Sequence, residues 1–181
     1  MALHTGRHFL QIPGPTNVPD RVLRAMDMPT IDHRGPEFAE LGFEVLKASQ
    51  SVFRTTQPVI IFPSSGTGAW EAAIVNALSP GDKVLMTETG QFAMLWRRLA
   101  DRFKLDVDMV PGDWRRLTNV KEIESRRVAD KAHRIRAVMV VHNETSTSCI
   151  SHIPEVRAAM DWAKHPALLL VDTLSGLGSL E

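Results

Sequence analysis

The chain has 181 residues, 44% hydrophobic and 23% charged, with 21 basic and 21 acidic side chains and a formal net charge of zero. The apolar supply suffices for a sizeable core, while the neutral balance argues against partnership with nucleic acid or an anionic membrane surface. A single cysteine, Cys149, excludes an intrachain disulfide and fits a reducing compartment, so a cytoplasmic location is expected. No long apolar run opens the chain, so neither a secretory signal nor a transmembrane helix is predicted.

Residues 1–35 are rich in Pro and Gly with little period, and read as an ordered arm. A helix over 37–53 follows Pro36, and 59–62 (VIIF) reads as a short apolar strand. Helix 68–78 comes next, then the turn Ser79-Pro80-Gly81-Asp82 and strand 83–86. Helix 92–103, strand 105–110 and helix 120–128 follow, the last with Asn119 as its N-cap. Strand 136–141, helix 155–164 behind Pro154, and strand 167–172 complete the series. Short, continuously apolar strands alternating with helices imply a mostly parallel α/β sheet covered on both faces. No linker divides residues 36–181, which are expected to form one domain.

An open sheet of this kind binds ligands at the carboxyl ends of its strands. The segments there are 63–67, 87–90, 142–147 and 172–173, all polar and rich in hydroxyls. Ser65-Gly66-Thr67 stands between a strand and a helix, where small residues and a helix N-terminus suit either a phosphate cup or an ordinary capped turn. No Gly-Lys-Ser/Thr follows, so a nucleotide triphosphate is not favoured. Asp172 ends an apolar strand and needs a donor, which a pyridinium nitrogen or a turn through Thr173 and Ser175 could supply. Phe92 can stack on a ligand ring or belong to the core face of its helix. His142 and Glu144 could form a metal pair or a general base, but no second His or Cys stands at ligand spacing, so no metal is expected. The modest alternative is that this loop, Thr145 especially, supplies hydroxyl and amide donors. His33-Arg34 could hold an anion or a neighbouring subunit, or be a solvated pair.

Taken in order, the stretches PGPTNVP (13–19), DHRGPEF (32–38), FPSSGTGAWEAAIVNALSPGD (62–82), TGQFAMLW (89–96), VVHNETST (140–147) and HPALLLVDTLSGLGSLE (165–181) carry a resemblance. The chain resembles the class V aminotransferases of fold type I, and among them the serine–glyoxylate and alanine–glyoxylate aminotransferases. That resemblance implies pyridoxal 5′-phosphate as cofactor, small amino acids and 2-oxo acids as substrates, and a homodimer for the complete protein. It implies that Ser65, Gly66 and Thr67 hold the phosphate, Phe92 stacks on the ring, and Thr145 meets the ring's phenolic side. It further implies that Asp172 pairs with the pyridine nitrogen, that Leu174 lies against the ring, and that Pro13, Gly14, Pro15 and Thr16 line the substrate pocket.

Two positions depart from the family pattern. Ser148-Cys149 stands where the family has Gly, a poorer fit by about 1 kcal/mol if the turn needs a positive φ. The family's Schiff-base lysine and its substrate-carboxylate arginine fall beyond Glu181, and Lys47, Lys83, Lys104, Lys121, Lys131 and Lys164 match other positions. The resemblance therefore covers half of the family's length or less. It implies an incomplete large domain that is inactive by itself, with a peroxisomal location left open. The competing readings are another class V enzyme such as an aminoethylphosphonate transaminase or a cysteine desulfurase, a non-catalytic remnant retained as a pairing partner, and a generic phosphate-binding module.

Overall fold

A computed structural model describes residues 10–162 and 164–179. The chain divides into two compact units, Met1–Val59 and Ile60–Glu181. The first contains α1 (Asp20–Met26) and α2 (Pro36–Val52). Pro36 opens α2, a position where its missing N–H costs nothing. The short helix α1 is an element that the sequence pattern did not predict. Its seven residues bury none of their side chains, so no apolar period marks it.

The second unit runs α3 (Gly66–Ala77), β1 (Lys83–Thr87), α4 (Gln91–Arg102), β2 (Asp106–Val110), α5 (Val120–Ala129), β3 (Ile135–Val141), β4 (Asn143–Glu144), β5 (Cys149–Ile150), α6 (Ile153–Trp162) and β6 (Leu168–Asp172). Four strands form a parallel sheet in the order β2-β1-β3-β6. The two-residue strands β4 and β5 pair antiparallel in a small ribbon just after β3.

Alternate residues of each central strand enter opposite cores, as the pleat requires. Val84 and Met86 of β1, with Ala137, Met139 and Val141 of β3, join Trp70, Ile74, Ala93, Trp96 and Ala100 from α3 and α4. Leu85, Val138 and Val140 join Ile123 of α5 and Val156 and Met160 of α6 on the other face. This two-sided burial is why β1 and β3 read as unbroken apolar runs, and each fully buried side chain contributes about 1.5–3 kcal/mol. The α/β architecture expected from the sequence is the one observed.

One predicted strand is absent. Residues 59–62 form no ladder, and Ile60, Ile61 and Phe62 are 72%, 58% and 49% exposed. A strand exists through its hydrogen-bonded neighbour, and no described segment pairs with this one. Four apolar residues specify a tendency to extend but no partner. Among the described residues, no helix is long and apolar enough to cross a membrane.

Candidate functional site

The candidate site lies along the carboxyl edge of the sheet, where the N-termini of α3, α4 and α5 also begin. A helix leaves its first N–H groups without partners in its own ladder, so what meets them separates these three. At α5 the Asn119 side chain accepts from Glu122 N at 3.2 Å. At α4 a buried carboxylate does the work. Glu144 Oε2 accepts from Phe92 N at 3.1 Å and Ala93 N at 3.0 Å, and Ser146 Oγ accepts from Gln91 N at 2.9 Å. Ser146 Oγ in turn donates to Glu144 Oε1 at 2.7 Å. No side chain caps α3: Ser65 stands at its N-cap with φ −95° and ψ 177°, and Ser65 and Thr67 are exposed. The positive end of α3 is thus open to an external anion, whereas that of α4 is filled by the chain's own.

Glycine is required where Glu144 approaches α4. A Cβ at Gly90 would stand 2.5 Å from Glu144 Cγ and 2.6 Å from Ser146 Oγ. Gly68, in the first turn of α3, is similarly tight: a Cβ there would meet Ser64 Oγ at 2.0 Å.

Asp172, the last residue of β6, is half-buried with one donor on each oxygen. Trp70 Nε1 donates to Oδ2 at 3.1 Å, and Leu174 N donates to Oδ1 at 2.8 Å. Trp70 comes from α3 and stacks on Trp96 of α4, with ring centroids 5.5 Å apart and planes 12° apart. Leu174 is exposed, and its Cδ2 lies 2.9 Å from where a Gly66 Cβ would stand. Thr145 Oγ1 donates to Ser175 Oγ at 2.9 Å, which itself donates to Asn143 O at 2.8 Å. The Thr145 hydroxyl proton is therefore committed to Ser175.

Of the residues singled out in the sequence, Gly66, Leu174, Asp172 and Thr145 converge through these contacts, with Ser65 and Thr67 beside Gly66. Phe92 is half-buried, packs against the core that contains Trp70 and Trp96, and is tied to the β4–β5 ribbon through Glu144. Pro13, Gly14, Pro15 and Thr16 are exposed residues of the first unit, with a cis peptide bond between Gly14 and Pro15. Trp70 was missed as a functional residue, and Glu144, read in the sequence with His142 as a metal pair or general base, was missed as the cap of α4. Both lie inside quoted motifs, but their partners are 102 and 52 positions away along the chain.

A groove of about 790 Å³ opens at the ends of β1 and β2 and is lined by none of these residues. The two buried hydroxyls that line it, Thr87 and Thr118, are already joined in a chain. Thr118 Oγ1 is 2.8 Å from Ser151 Oγ, which donates to Val141 O. The residues that converge on Gly66 and Asp172 thus lie at the α3–β6 edge, outside this groove.

A family profile described as Aminotransferase class-V matches residues 8–181. An L-aspartate–glyoxylate aminotransferase of Paracoccus denitrificans is 47% identical over 178 residues, covering 98% of this chain and 45% of its own length. A serine–glyoxylate aminotransferase of Methylorubrum extorquens is 49% identical over 176 residues, covering 97% of this chain and 44% of its own. Among solved structures, an alanine–glyoxylate aminotransferase of Nostoc sp. superposes with a TM-score of 0.85 at 33% identity, over 99% of this chain and 46% of that one. The chain spans somewhat under half the length of these relatives. Its parallel sheet with helices on both faces is the fold type I architecture of pyridoxal-phosphate enzymes. With the profile running from residue 8 to the last residue of the sequence, the chain belongs to the class V aminotransferase family.

Proposed function

We propose that the full-length protein catalyses pyridoxal 5′-phosphate-dependent transamination from a small amino acid to glyoxylate, acting as a homodimer. Serine, alanine and aspartate are the donors named for the similar proteins. The observation that carries this reading is the contrast among helix N-termini: α3 alone of the three is uncapped by a side chain, and it lies next to Leu174 and Asp172.

The residues present fit the cofactor. Backbone N–H groups of Gly66 and Thr67, with the hydroxyls of Ser65 and Thr67, would hold the phosphate at the positive end of α3. Phe92 and Leu174 would bound the ring, and the Thr145 hydroxyl would meet its phenolic side. The Asp172 carboxylate would keep a proton on the ring nitrogen by pairing with it. When bound, pyridoxal phosphate supplies an electron-accepting ring and an aldehyde carbon that carries the amino group between substrates. A substrate-pocket role for Pro13, Gly14, Pro15 and Thr16 belongs to this proposal on the family resemblance alone.

The test is glycine formation from glyoxylate by the full-length protein, with serine, alanine and aspartate offered in turn. Asp172→Ala is expected to lower turnover by about a hundredfold or more, since it removes a charge aimed at the reacting system. Near-normal turnover in that variant would remove Asp172 from the mechanism, and no glycine from any donor would overturn the reading as a whole.

A further inference from the structure

We propose that Trp70 is a positioning residue for Asp172, so that α3 holds both ends of the cofactor site in one rigid element. This rests on the reading of Asp172 given under the proposed function, and assigns a role to a side chain that itself need not touch cofactor or substrate.

The geometry has three parts. First, an indole nitrogen only donates, and that of Trp70 is satisfied by Asp172 Oδ2 at 3.1 Å. The adjacent Trp96 offers the contrast, because its buried indole N–H has no partner. Packing alone is therefore enough to retain an indole in this core, and the Trp70 bond to Asp172 is a separate feature. Second, the Trp70 ring cannot swing, being buried and stacked on Trp96 at 5.5 Å. With Leu174 N on Oδ1, both oxygens of Asp172 are tied, and the carboxylate plane is fixed. Third, Trp70 lies three residues beyond Thr67 on the same helix, about 4.5 Å along its axis. The anion-accepting N-terminus of α3 and the donor that sets Asp172 are thus separated by about one helical turn. A site for a ligand with a phosphate at one end and a basic ring nitrogen elsewhere needs this fixed span. Holding it in advance spares the ordering cost at binding.

The experiment is a double-substitution cycle in the full-length protein, reading the dissociation constant of pyridoxal 5′-phosphate. Trp70→Phe keeps an aromatic ring against Trp96 and removes the N–H. It is expected to weaken binding about tenfold in the otherwise native protein, the scale of a hydrogen bond to a charged group, and less than about twofold when Asp172→Asn is already present. Benzothienylalanine at position 70, which replaces the N–H by sulfur at nearly constant shape, should reproduce the loss and serves if Trp70→Phe folds poorly. The Trp70 indole ¹⁵N–¹H resonance should also shift in Asp172→Asn, which a purely packing role would not produce. Native affinity in Trp70→Phe, or an equal loss in both backgrounds, overturns the proposal while leaving the Asp172 reading intact. Unchanged affinity in Asp172→Asn overturns both.

Discussion

Ser148 adopts φ 59°, a left-handed conformation that disfavours any residue with a Cβ. It closes the turn between β4 and β5, where Ser148 N donates to Glu144 O at 2.8 Å. The family's usual glycine would sit there without that strain, so the position was legible in the sequence as a departure with a stated physical consequence. Ser148→Gly is expected to stabilise the chain by about 1 kcal/mol, raising its thermal midpoint by about 2–4 °C. An unchanged or lower midpoint would mean that the turn tolerates serine without strain. Gly90 presents the opposite case. An added methyl would press on Glu144 and Ser146 at 2.5–2.6 Å and push the carboxylate off the α4 N-terminus. Gly90→Ala is expected to cost about 1–3 kcal/mol in chemical denaturation. It should also leave the α4 amide protons less protected from exchange, and native protection there would show that the cap survives.

At the level of elements, the end of the sheet opposite the candidate site is held by a polar cluster. His165 Nδ1 accepts from Ala167 N at 3.2 Å, so its proton is on Nε2, which donates to Asp130 Oδ2 at 3.1 Å. Asp130 also accepts from Arg134 N and Ile135 N, and the buried Arg127 donates to His165 O at 3.0 Å. These bonds join α5 to the starts of β3 and β6. Burial pushes the His165 imidazole below its ordinary value, and the charges of Arg127 and His133 add to this against the favourable pull of Asp130. In the unfolded chain the same group titrates near about 6.5. Below that pH the unfolded state binds the proton that the folded state resists, so stability is fully present above it and falls as pH drops. The thermal midpoint should therefore decline between about pH 7.5 and pH 5.5, and less steeply in His165→Asn. Equal slopes in the two proteins would remove His165 as the cause. The sequence carried most of the elements, since four strands and five helices follow apolar period and turn residues. It did not carry the two-residue pair β4–β5, too short to show a period, nor the failure of 59–62 to become a strand. The loops at the strand ends were legible because a parallel sheet places its chemistry there. The links Trp70–Asp172 and Glu144–Phe92 were not, because only the folded topology brings such distant residues together.

For the whole molecule, the two edges of the four-stranded sheet differ in chemistry. The β2 edge carries Asp106 and Asp108, and Asp108 pairs with Arg126 and, at 3.2 Å, with Lys83. Charges on an edge strand discourage pairing with another chain. The β6 edge is Leu168-Leu169-Leu170-Val171-Asp172, uncharged until its last residue, with Leu168 47% exposed. A formal net charge of zero adds no long-range repulsion between copies. The isolated 181-residue chain is therefore expected to self-associate in a concentration-dependent manner, with β6 as the pairing strand. Leu168→Lys places a charge on that strand at a position about half in water, so it costs little stability and should reduce association in sedimentation velocity. Val128→Lys, at a similarly exposed position on α5, is the control and should not. If both substitutions reduce association equally, general surface hydrophobicity is responsible and the edge is not. If only Leu168→Lys acts, strand pairing at β6 is what brings the copies together.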